Sequence, residues 1–177
     1  LTVLVDPAHG VELRGLPSAQ SRVCKGDNLD GLCAAAEWLS SDAGVYYALN
    51  PIPMDQDRAR SGNVLCRRNI LIDLDPVKAE KNSSATDAEK EYAQDAACRV
   101  MDLLGEFGWP GPVSIDSGNG AHLVYRVDLP NTPHSQALLR GVLHRLAGMF
   151  DTDRAKVDTA VHNASRIAKL PGTWARK

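Results

Sequence analysis

Two aspartates, Asp73 and Asp75, lie one residue apart at the end of the run NILIDLDP, residues 69–76. The apolar residues of this run predict a buried strand that is closed by Pro76. Side chains two residues apart in a strand point to the same face, so the two carboxylates leave one surface roughly 7 Å apart. Like charges at that separation raise each other's pKa unless a cation lies between them. The spacing therefore predicts a cation at this surface.

A glycine-rich turn follows in the segment SGNGAH, residues 117–122. Gly118 and Gly120 allow the backbone to approach a ligand closely, and exposed N–H groups in such a turn can form a concavity that binds an anion. The turn places His122 at the start of a strand, with the hydroxyl of Ser117 nearby. These groups are candidates for contact with a phosphate.

A third carboxylate, Asp158, occupies a strand-like apolar segment, KVDTAV, where a charge needs a partner. Arg166 and Lys169 follow in RIAKLPGT and could neutralise phosphate oxygens, the arginine through two parallel hydrogen bonds. Oxygen ligands of this kind prefer Mg²⁺ or Mn²⁺ to zinc. Three aspartates, a histidine and two cations are the groups that two-metal phosphoryl transfer uses.

Each of these groups also has a purely structural interpretation. Two aspartates in a DxD pattern can be a surface or turn pair, and SGNG by itself is typical of a hairpin turn. Asp158 can cap a helix or strand, and Arg166 can be a surface charge. The order and spacing of the whole set favour the chemical interpretation.

The elements that must position these residues alternate between strands and helices, which predicts a mixed α/β or α+β domain. Thr86 and Glu89 form a capping-box pattern, and Asn119-Gly120 supplies the positive-φ positions of a tight hairpin turn. The predicted elements are strands at 1–5, 10–16, 44–51 and 69–75, helices at 28–41, 85–108 and 132–150, a hairpin at 112–130 and two strand-like pieces within 156–173.

The composition is ordinary for a globular protein, with 44% hydrophobic and 24% charged residues among 177. No apolar run approaches the ~18 residues of a membrane span, so no membrane association is expected. The four cysteines lack a zinc-like spacing and predict reduced, mostly buried thiols and an intracellular origin. The net charge is −2, but the segment from Arg140 onward contains eight Lys or Arg and only three Asp. These basic residues could form a positively charged surface or the solvated face of a helix.

Three motifs, LIDLDP, SGNGAH and VDTAVHNASRIAKLPGT, resemble motifs I, II and III of the archaeo-eukaryotic primase superfamily. The similarity is greatest to its phage- and plasmid-type primase–polymerases, and it extends to the upstream segments GVELRGL and GVYYALNP. The resemblance covers nearly the whole chain. It implies a catalytic core built on an RRM-like sheet with flanking helices and a second small α/β unit, here residues 69–177 and 1–68.

The resemblance also assigns roles to individual residues. It implies that Asp73, Asp75 and Asp158 bind two Mg²⁺ or Mn²⁺ ions and are catalytic. It implies nucleotide binding by the turn and by the basic residues after it: Ser117, Gly118, Gly120, His122, Arg166 and Lys169.

The partners that the resemblance implies are a single-stranded DNA template, a primer strand and dNTPs or NTPs, in the cytoplasm during bacterial, phage or plasmid replication. The chain is expected to be a single catalytic domain excised from a longer protein, in which a helicase domain could follow. The sequence predicts a template-directed nucleotidyltransferase, a DNA primase or polymerase. Two alternatives stay open at this point: a metal-dependent phosphoesterase or nuclease, and a non-catalytic nucleic-acid-binding module.

Overall fold

The strands of the chain form two four-stranded sheets. The computed structural model describes residues 3–41, 43–80 and 83–174. Their strands and helices, in chain order, are β1 (Gly10–Leu16), β2 (Ser21–Lys25), α1 (Leu29–Ser40), β3 (Gly44–Ala48), β4 (Cys66–Pro76), α2 (Asp87–Glu106), β5 (Val113–Asp116), β6 (Ala121–Pro130), α3 (Pro133–Phe150), β7 (Ala155–Val157) and β8 (Ile167–Lys169).

The chain divides into two units. The first comprises Leu1–Asn69, Val127–Ser135 and Asn163–Lys177, and the second comprises Ile70–Arg126 and Gln136–His162. The first boundary falls one residue from the predicted division after residue 68. Two later segments, 127–135 and 163–177, belong to the first unit, whereas the sequence interpretation had placed everything after residue 68 in the second.

The first unit contains a sheet in the order β2-β1-β3-β8, with all neighbouring strands antiparallel. Helix α1 contacts β1, β2 and β3 and buries Leu32, Ala35 and Leu39. The helix begins after Asn28, whose side chain accepts a hydrogen bond from the backbone N–H of Gly31 at 3.0 Å. This confirms the helix predicted at 28–41.

Two buried asparagines hold the segments of the first unit together. The side chain of Asn69 donates to the carbonyl groups of Leu4 and Leu49, at 2.9 and 2.7 Å. The side chain of Asn50 accepts from the backbone N–H of Asn69 at 3.1 Å and donates to the carbonyl group of Ala164 at 2.9 Å. Because buried polar groups are costly without partners, this network fixes the chain just before the DxD run and just before Arg166.

In the second sheet the strands follow the order β5-β6-β4-β7. Strands β5 and β6 pair antiparallel, as predicted for the hairpin at 112–130, and β7 pairs antiparallel with the end of β4. Helices α2 and α3 confirm the helices predicted at 85–108 and 132–150. Alanines and aliphatic side chains of α2 are buried: Ala93, Ala96, Ala97, Val100 and Leu104.

Two local predictions were wrong, and one strand was missed. Residues 3–5, the described part of the strand predicted at 1–5, form a turn and a bend; Leu4 and Val5 are buried without joining a sheet. Strand β2 was not predicted, because SRVCK is short and carries no apolar run. Strand β4 begins at Cys66 rather than at residue 69, since its first residues are polar.

The cysteines are free thiols, as predicted, but they are less buried than expected. Cys24 and Cys66 are half-buried, and Cys33 and Cys98 are exposed. The two exposed thiols lie on α1 and α2, on helix faces that no apolar periodicity directs to the core. The described residues include no helix that is both long and apolar enough to span a membrane.

Helix α2 starts at a complete capping box. The hydroxyl group of Thr86 accepts from the backbone N–H of Glu89 at 3.2 Å, and the carboxylate of Glu89 accepts from the backbone N–H of Thr86 at 2.8 Å. Glu89 also accepts from the backbone N–H of Ala79 at 3.1 Å, which attaches the loop after β4 to the helix. The capping box therefore fixes both the helix start and this loop.

We expect Thr86→Ala to lower the free energy of unfolding by about 1 kcal/mol, because the N–H group of Glu89 loses its partner. Thr86→Ser keeps the hydroxyl group and is the matched control. Urea unfolding followed by circular dichroism measures both variants. Equal midpoints for the alanine and serine variants would show that the cap contributes nothing.

Candidate active site

Three carboxylates meet where β4 runs beside β7. Leu74 pairs with Val157, and the backbone N–H of Asp158 donates to the carbonyl group of Asp73 at 2.8 Å, which extends the antiparallel ladder by one pair. Residues directly opposite each other in such a ladder project from the same face of the sheet. Asp73 and Asp158 therefore share one face, and Asp75 joins them because it lies two residues further along β4.

His122 on β6 lies beside this group. Its Nε2 atom is 3.4 Å from Oδ1 of Asp73, and the residue is only 6% exposed. Among the described residues, the buried Oδ1 of Asp73 and the buried Nδ1 of His122 have no hydrogen-bond partner. Buried polar atoms without partners are uncommon and costly, and they are typical of sites that bind a ligand.

The carboxylates repel one another. The pKa of Asp75 is raised above its usual value, first by partial desolvation and then by the negative charges of Asp73 and Asp158. Electrostatic interactions with His122 and Lys78 lower the pKa of Asp75 but do not cancel this increase. A bound cation would remove the repulsion, as the DxD spacing predicted.

The raised pKa of Asp75 predicts how its removal changes stability. In metal-free protein, we expect Asp75→Asn to be more stable than the wild type near neutral pH. The native state holds the Asp75 proton more tightly than the unfolded chain does, so wild-type stability falls as the pH rises from the usual aspartate pKa, about 3.9, through the raised native value. The asparagine carries no charge, and its advantage therefore disappears below about pH 3.5.

Urea unfolding in the presence of a chelator, at neutral pH and below about pH 3.5, tests this expectation. Asp102→Asn removes an exposed carboxylate of α2 and is the matched control. A stability difference for Asp75→Asn that is the same at both pH values would contradict the repulsion.

The segment Ser117–Gly120 connects β5 to β6, and it differs from the predicted two-residue turn. Gly118 has φ = 90°, and the described residues with positive φ include neither Asn119 nor Gly120. The backbone N–H of Gly118 donates to Oδ1 of Asp116 at 2.7 Å, and that of Gly120 donates to Oγ of Ser117 at 3.0 Å. Both N–H groups are thus engaged within the turn.

Gly120 has a separate reason to be glycine. A Cβ atom at this position would lie 2.3 Å from the carbonyl oxygen of Leu74, the residue between the two aspartates of β4. Only a residue without a side chain allows the turn to approach the strand this closely. The glycine-rich motif therefore packs the hairpin turn directly against the DxD segment.

The two basic candidates belong to the first unit. Nε of Arg166 donates to Oδ1 of Asn163 at 3.0 Å, just before β8. Lys169 on β8 is 5% exposed; its ammonium group donates to the carbonyl group of Val45 at 3.2 Å and to the hydroxyl group of Thr173. Burial lowers the pKa of Lys169. Their contact with a nucleotide stays a prediction, and Lys169 already has protein partners.

Two lysines that the sequence interpretation did not select also line this site. Lys78 and Lys156 border a cavity of about 580 Å³ together with Asp75 and Asp158. The position of Lys156 could have been predicted from the sequence. It precedes Asp158 by two residues in a strand-like segment and therefore projects from the same face. Lys78 lies in the loop after β4, where periodicity gives no information.

The donor set suits a hard divalent cation. The described residues include no group of three or more His, Cys, Asp or Glu side chains that stands ready to hold a metal ion. The three carboxylates nevertheless supply oxygen ligands of the type that Mg²⁺ and Mn²⁺ prefer, and Oδ1 of Asp73 is buried without a partner. The type of donor atom fits Mg²⁺ or Mn²⁺, and the binding of these ions stays a prediction.

Among the described residues, two antiparallel sheets and three helices form a mixed α/β fold. The chain is similar in structure to the polymerase domain of Ligase D from Mycobacterium tuberculosis, solved in complex with DNA. The TM-score is 0.57 at 13% sequence identity, and the match covers 99% of this chain and 72% of that chain. No protein-family model matches the sequence, and no curated protein is significantly similar to it. The likeness establishes the fold.

Proposed function

We propose that this protein is a template-directed nucleotidyltransferase, a DNA primase or polymerase that joins nucleotides by two-metal phosphoryl transfer. The observation that carries the proposal is the meeting of Asp73, Asp158 and His122 on one face of the second sheet, where a buried carboxylate oxygen of Asp73 lies 3.4 Å from His122 and has no hydrogen-bond partner. The similarity of the fold to the polymerase domain of Ligase D is the second support.

Asp73, Asp75 and Asp158 would hold two divalent ions, Mg²⁺ or Mn²⁺. When bound, such ions neutralise developing charge on the transferred phosphoryl group and favour ionisation of the attacking hydroxyl group. The three aspartate side chains point the same way because they lie on one face of the sheet. The backbone hydrogen bond from Asp158 to Asp73 keeps β4 and the end of β7 in this register. Asp73 and Asp75 on a strand, with Asp158 directly after one, give a more precise site than loops could give.

The remaining candidates would bind the nucleotide. His122 is held by β6 beside Asp73, and its unpartnered Nδ1 atom can donate to a phosphate oxygen in the tautomer or charge state that carries a proton there. Ser117, Gly118 and Gly120 shape the adjoining turn. Arg166 would hold a triphosphate through its planar guanidinium group. Lys169 would first have to give up its hydrogen bonds to Val45 and Thr173 before it could contact a phosphate.

The substrates in this proposal are a single-stranded DNA template, a primer strand and dNTPs or NTPs. The protein of similar fold was solved with DNA, which supports nucleic acid as the partner. The activity would belong to bacterial, phage or plasmid replication in the cytoplasm, and a helicase domain could act beside it in a longer protein.

Primer extension on a labelled primer–template, with Mg²⁺ or Mn²⁺ and with dNTPs or NTPs supplied separately, tests the proposal. We expect the primer to lengthen only when triphosphates and a divalent ion are both present, and the added bases to follow the template. Shortening of the primer without triphosphates would instead identify a nuclease. No change in the primer under any condition, together with DNA binding, would identify a binding module.

A further inference from the structure

A cavity of about 580 Å³ in the second unit combines the acidic site with two lysines. Asp75 and Asp158 line it, and so do Lys78 and Lys156. We infer that Lys78 and Lys156 form a phosphate-binding pair that holds a phosphate group of the substrate beside the aspartates. The inference rests on the proposed function for the identity of the substrate, and it concerns residues that the primase-like motifs do not include.

Lys156 is placed by the register of the second sheet. It is the central residue of β7, where its neighbours Ala155 and Val157 are buried and Lys156 is exposed. It pairs directly with Asp75, so both side chains project from the same face. The ion pairs and hydrogen bonds among the described residues do not occupy its ammonium group, although Asp75 lies across from it. The charge is thus free to meet a ligand.

Lys78 is placed by contacts that fix the loop after β4. Its ammonium group donates to the carbonyl group of Ser83 at 2.8 Å, and Lys78 lines the same cavity as Asp75. The same loop is attached to α2 through Glu89, and the backbone N–H of Ala85 donates to Oδ1 of Asn119 at 3.0 Å. Lys78 is therefore held near Asp75 before any substrate arrives.

The chemistry of the cavity matches a phosphate bound through metal ions. Divalent cations held by Asp75 and Asp158 would attract phosphate oxygens, and the remaining negative charge of the phosphate would then need neutralisation from another side. The two lysines that line the same cavity can supply this charge as ammonium groups. The phosphate can belong to the triphosphate of the incoming nucleotide or to the phosphodiester backbone of the primer strand.

A lysine on an edge strand also has a structural explanation. Strand β7 is the last strand of its sheet, and lysines on edge strands hinder the pairing of one molecule with another. Loss of Lys156 would then promote association without changing affinity for the substrate. Lys78 is not on an edge strand, so that explanation does not cover both residues.

Direct binding, measured without turnover, tests the pair. Lys156→Gln and Lys78→Gln remove each charge, Lys156→Arg restores one, and Lys25→Gln removes an exposed lysine of the first unit as the matched control. Isothermal titration calorimetry with dATP and Mg²⁺ measures the affinity for the nucleotide. Fluorescence anisotropy of a labelled primer–template at one fixed salt concentration measures the affinity for the DNA. Thermal melting and light scattering check that each variant is folded and monodisperse.

We expect Lys156→Gln and Lys78→Gln each to weaken the affinity for dATP or for the primer–template by about tenfold or more. This is the effect of losing a charge-assisted hydrogen bond. Weaker binding of dATP identifies the bound phosphate as part of the nucleotide triphosphate. Weaker binding of the primer–template identifies it as part of the primer backbone. Lys156→Arg should recover most of the affinity. If Lys78→Gln and Lys156→Gln bind both ligands as tightly as Lys25→Gln does, the two lysines do not bind phosphate, whether or not light scattering increases. Wild-type protein that binds these ligands but never extends a primer would refute the proposed function and leave the pair standing.

Discussion

Asp73→Ala is expected to reduce the rate of primer extension by about a thousandfold or more, because several kcal/mol of transition-state stabilisation depend on the bound cations. Asp73 is the member of the cluster with the most connections: its backbone accepts from Asp158, its Oδ1 atom lies 3.4 Å from His122, and Asp75 shares its strand face. The same loss is expected for Asp75→Ala. Extension assays with saturating nucleotide measure both variants.

The fold of the Asp73 variant should be intact. The buried Oδ1 atom has no hydrogen-bond partner, and the only polar contact it loses among the described residues is the 3.4 Å approach to Nε2 of His122, so the cost to folding should be small. Mn²⁺ should raise the melting temperature of the wild type and leave that of Asp73→Ala unchanged, since only a native state that binds the ion is stabilised by it. Asp102→Asn, on the exposed face of α2, should behave like the wild type in both assays.

Wild-type extension by Asp73→Ala would remove the aspartates from the reaction. An inactive variant that still gains stability from Mn²⁺ would mean that the cations bind elsewhere and that Asp73 acts in another way. Either result would leave the fold assignment untouched, because the similarity to the polymerase domain of Ligase D concerns the backbone.

Gly120→Ala is expected to lower the free energy of unfolding by about 3 kcal/mol. The new Cβ atom would lie 2.3 Å from the carbonyl oxygen of Leu74, and that contact is backbone, which cannot rotate away. The turn and β4 must therefore separate. Since Leu74 lies between Asp73 and Asp75, we also expect extension to fall in the fraction of the variant that stays folded.

Gly105→Ala is the matched control for this substitution. Gly105 lies in α2, and a Cβ atom there would meet nothing within 4 Å. Alanine at a helical position removes backbone freedom from the unfolded chain, so this variant should gain about 0.5–1 kcal/mol. Denaturant unfolding followed by circular dichroism compares the two. A wild-type midpoint for Gly120→Ala would show that the turn can retreat from β4 without cost.

The sequence determined the features that depend on neighbours along the chain. The capping box at Thr86 and Glu89 predicted where α2 begins, because both hydrogen bonds link residues three positions apart. The common face of Asp73 and Asp75 followed from the two-residue period of a strand. The free state of the cysteines followed from the absence of a metal-like or disulfide-like spacing.

Tertiary structure decided the features that depend on pairing across the chain. The register of β4 with β7 places Asp158 opposite Asp73, and a slip of one residue would have sent Asp158 to the other face. The same register brought Lys156, which no motif marks, to the acidic cavity. The requirement for glycine at 120 comes from Leu74, a residue 46 positions away along the chain. No local pattern reports such an approach of backbone to backbone.

Burial was the other property that only the folded chain revealed. The sequence gives Lys169 as a cation in a strand, but β8 pairs with β3 and brings the ammonium group to Val45. Leu4 and Val5 are apolar enough for a strand, yet they fill the core from a turn because no neighbouring strand pairs with them. Local sequence sets which conformations are favourable, and long-range packing selects among them, because burial and pairing energies exceed the small propensity differences between single residues.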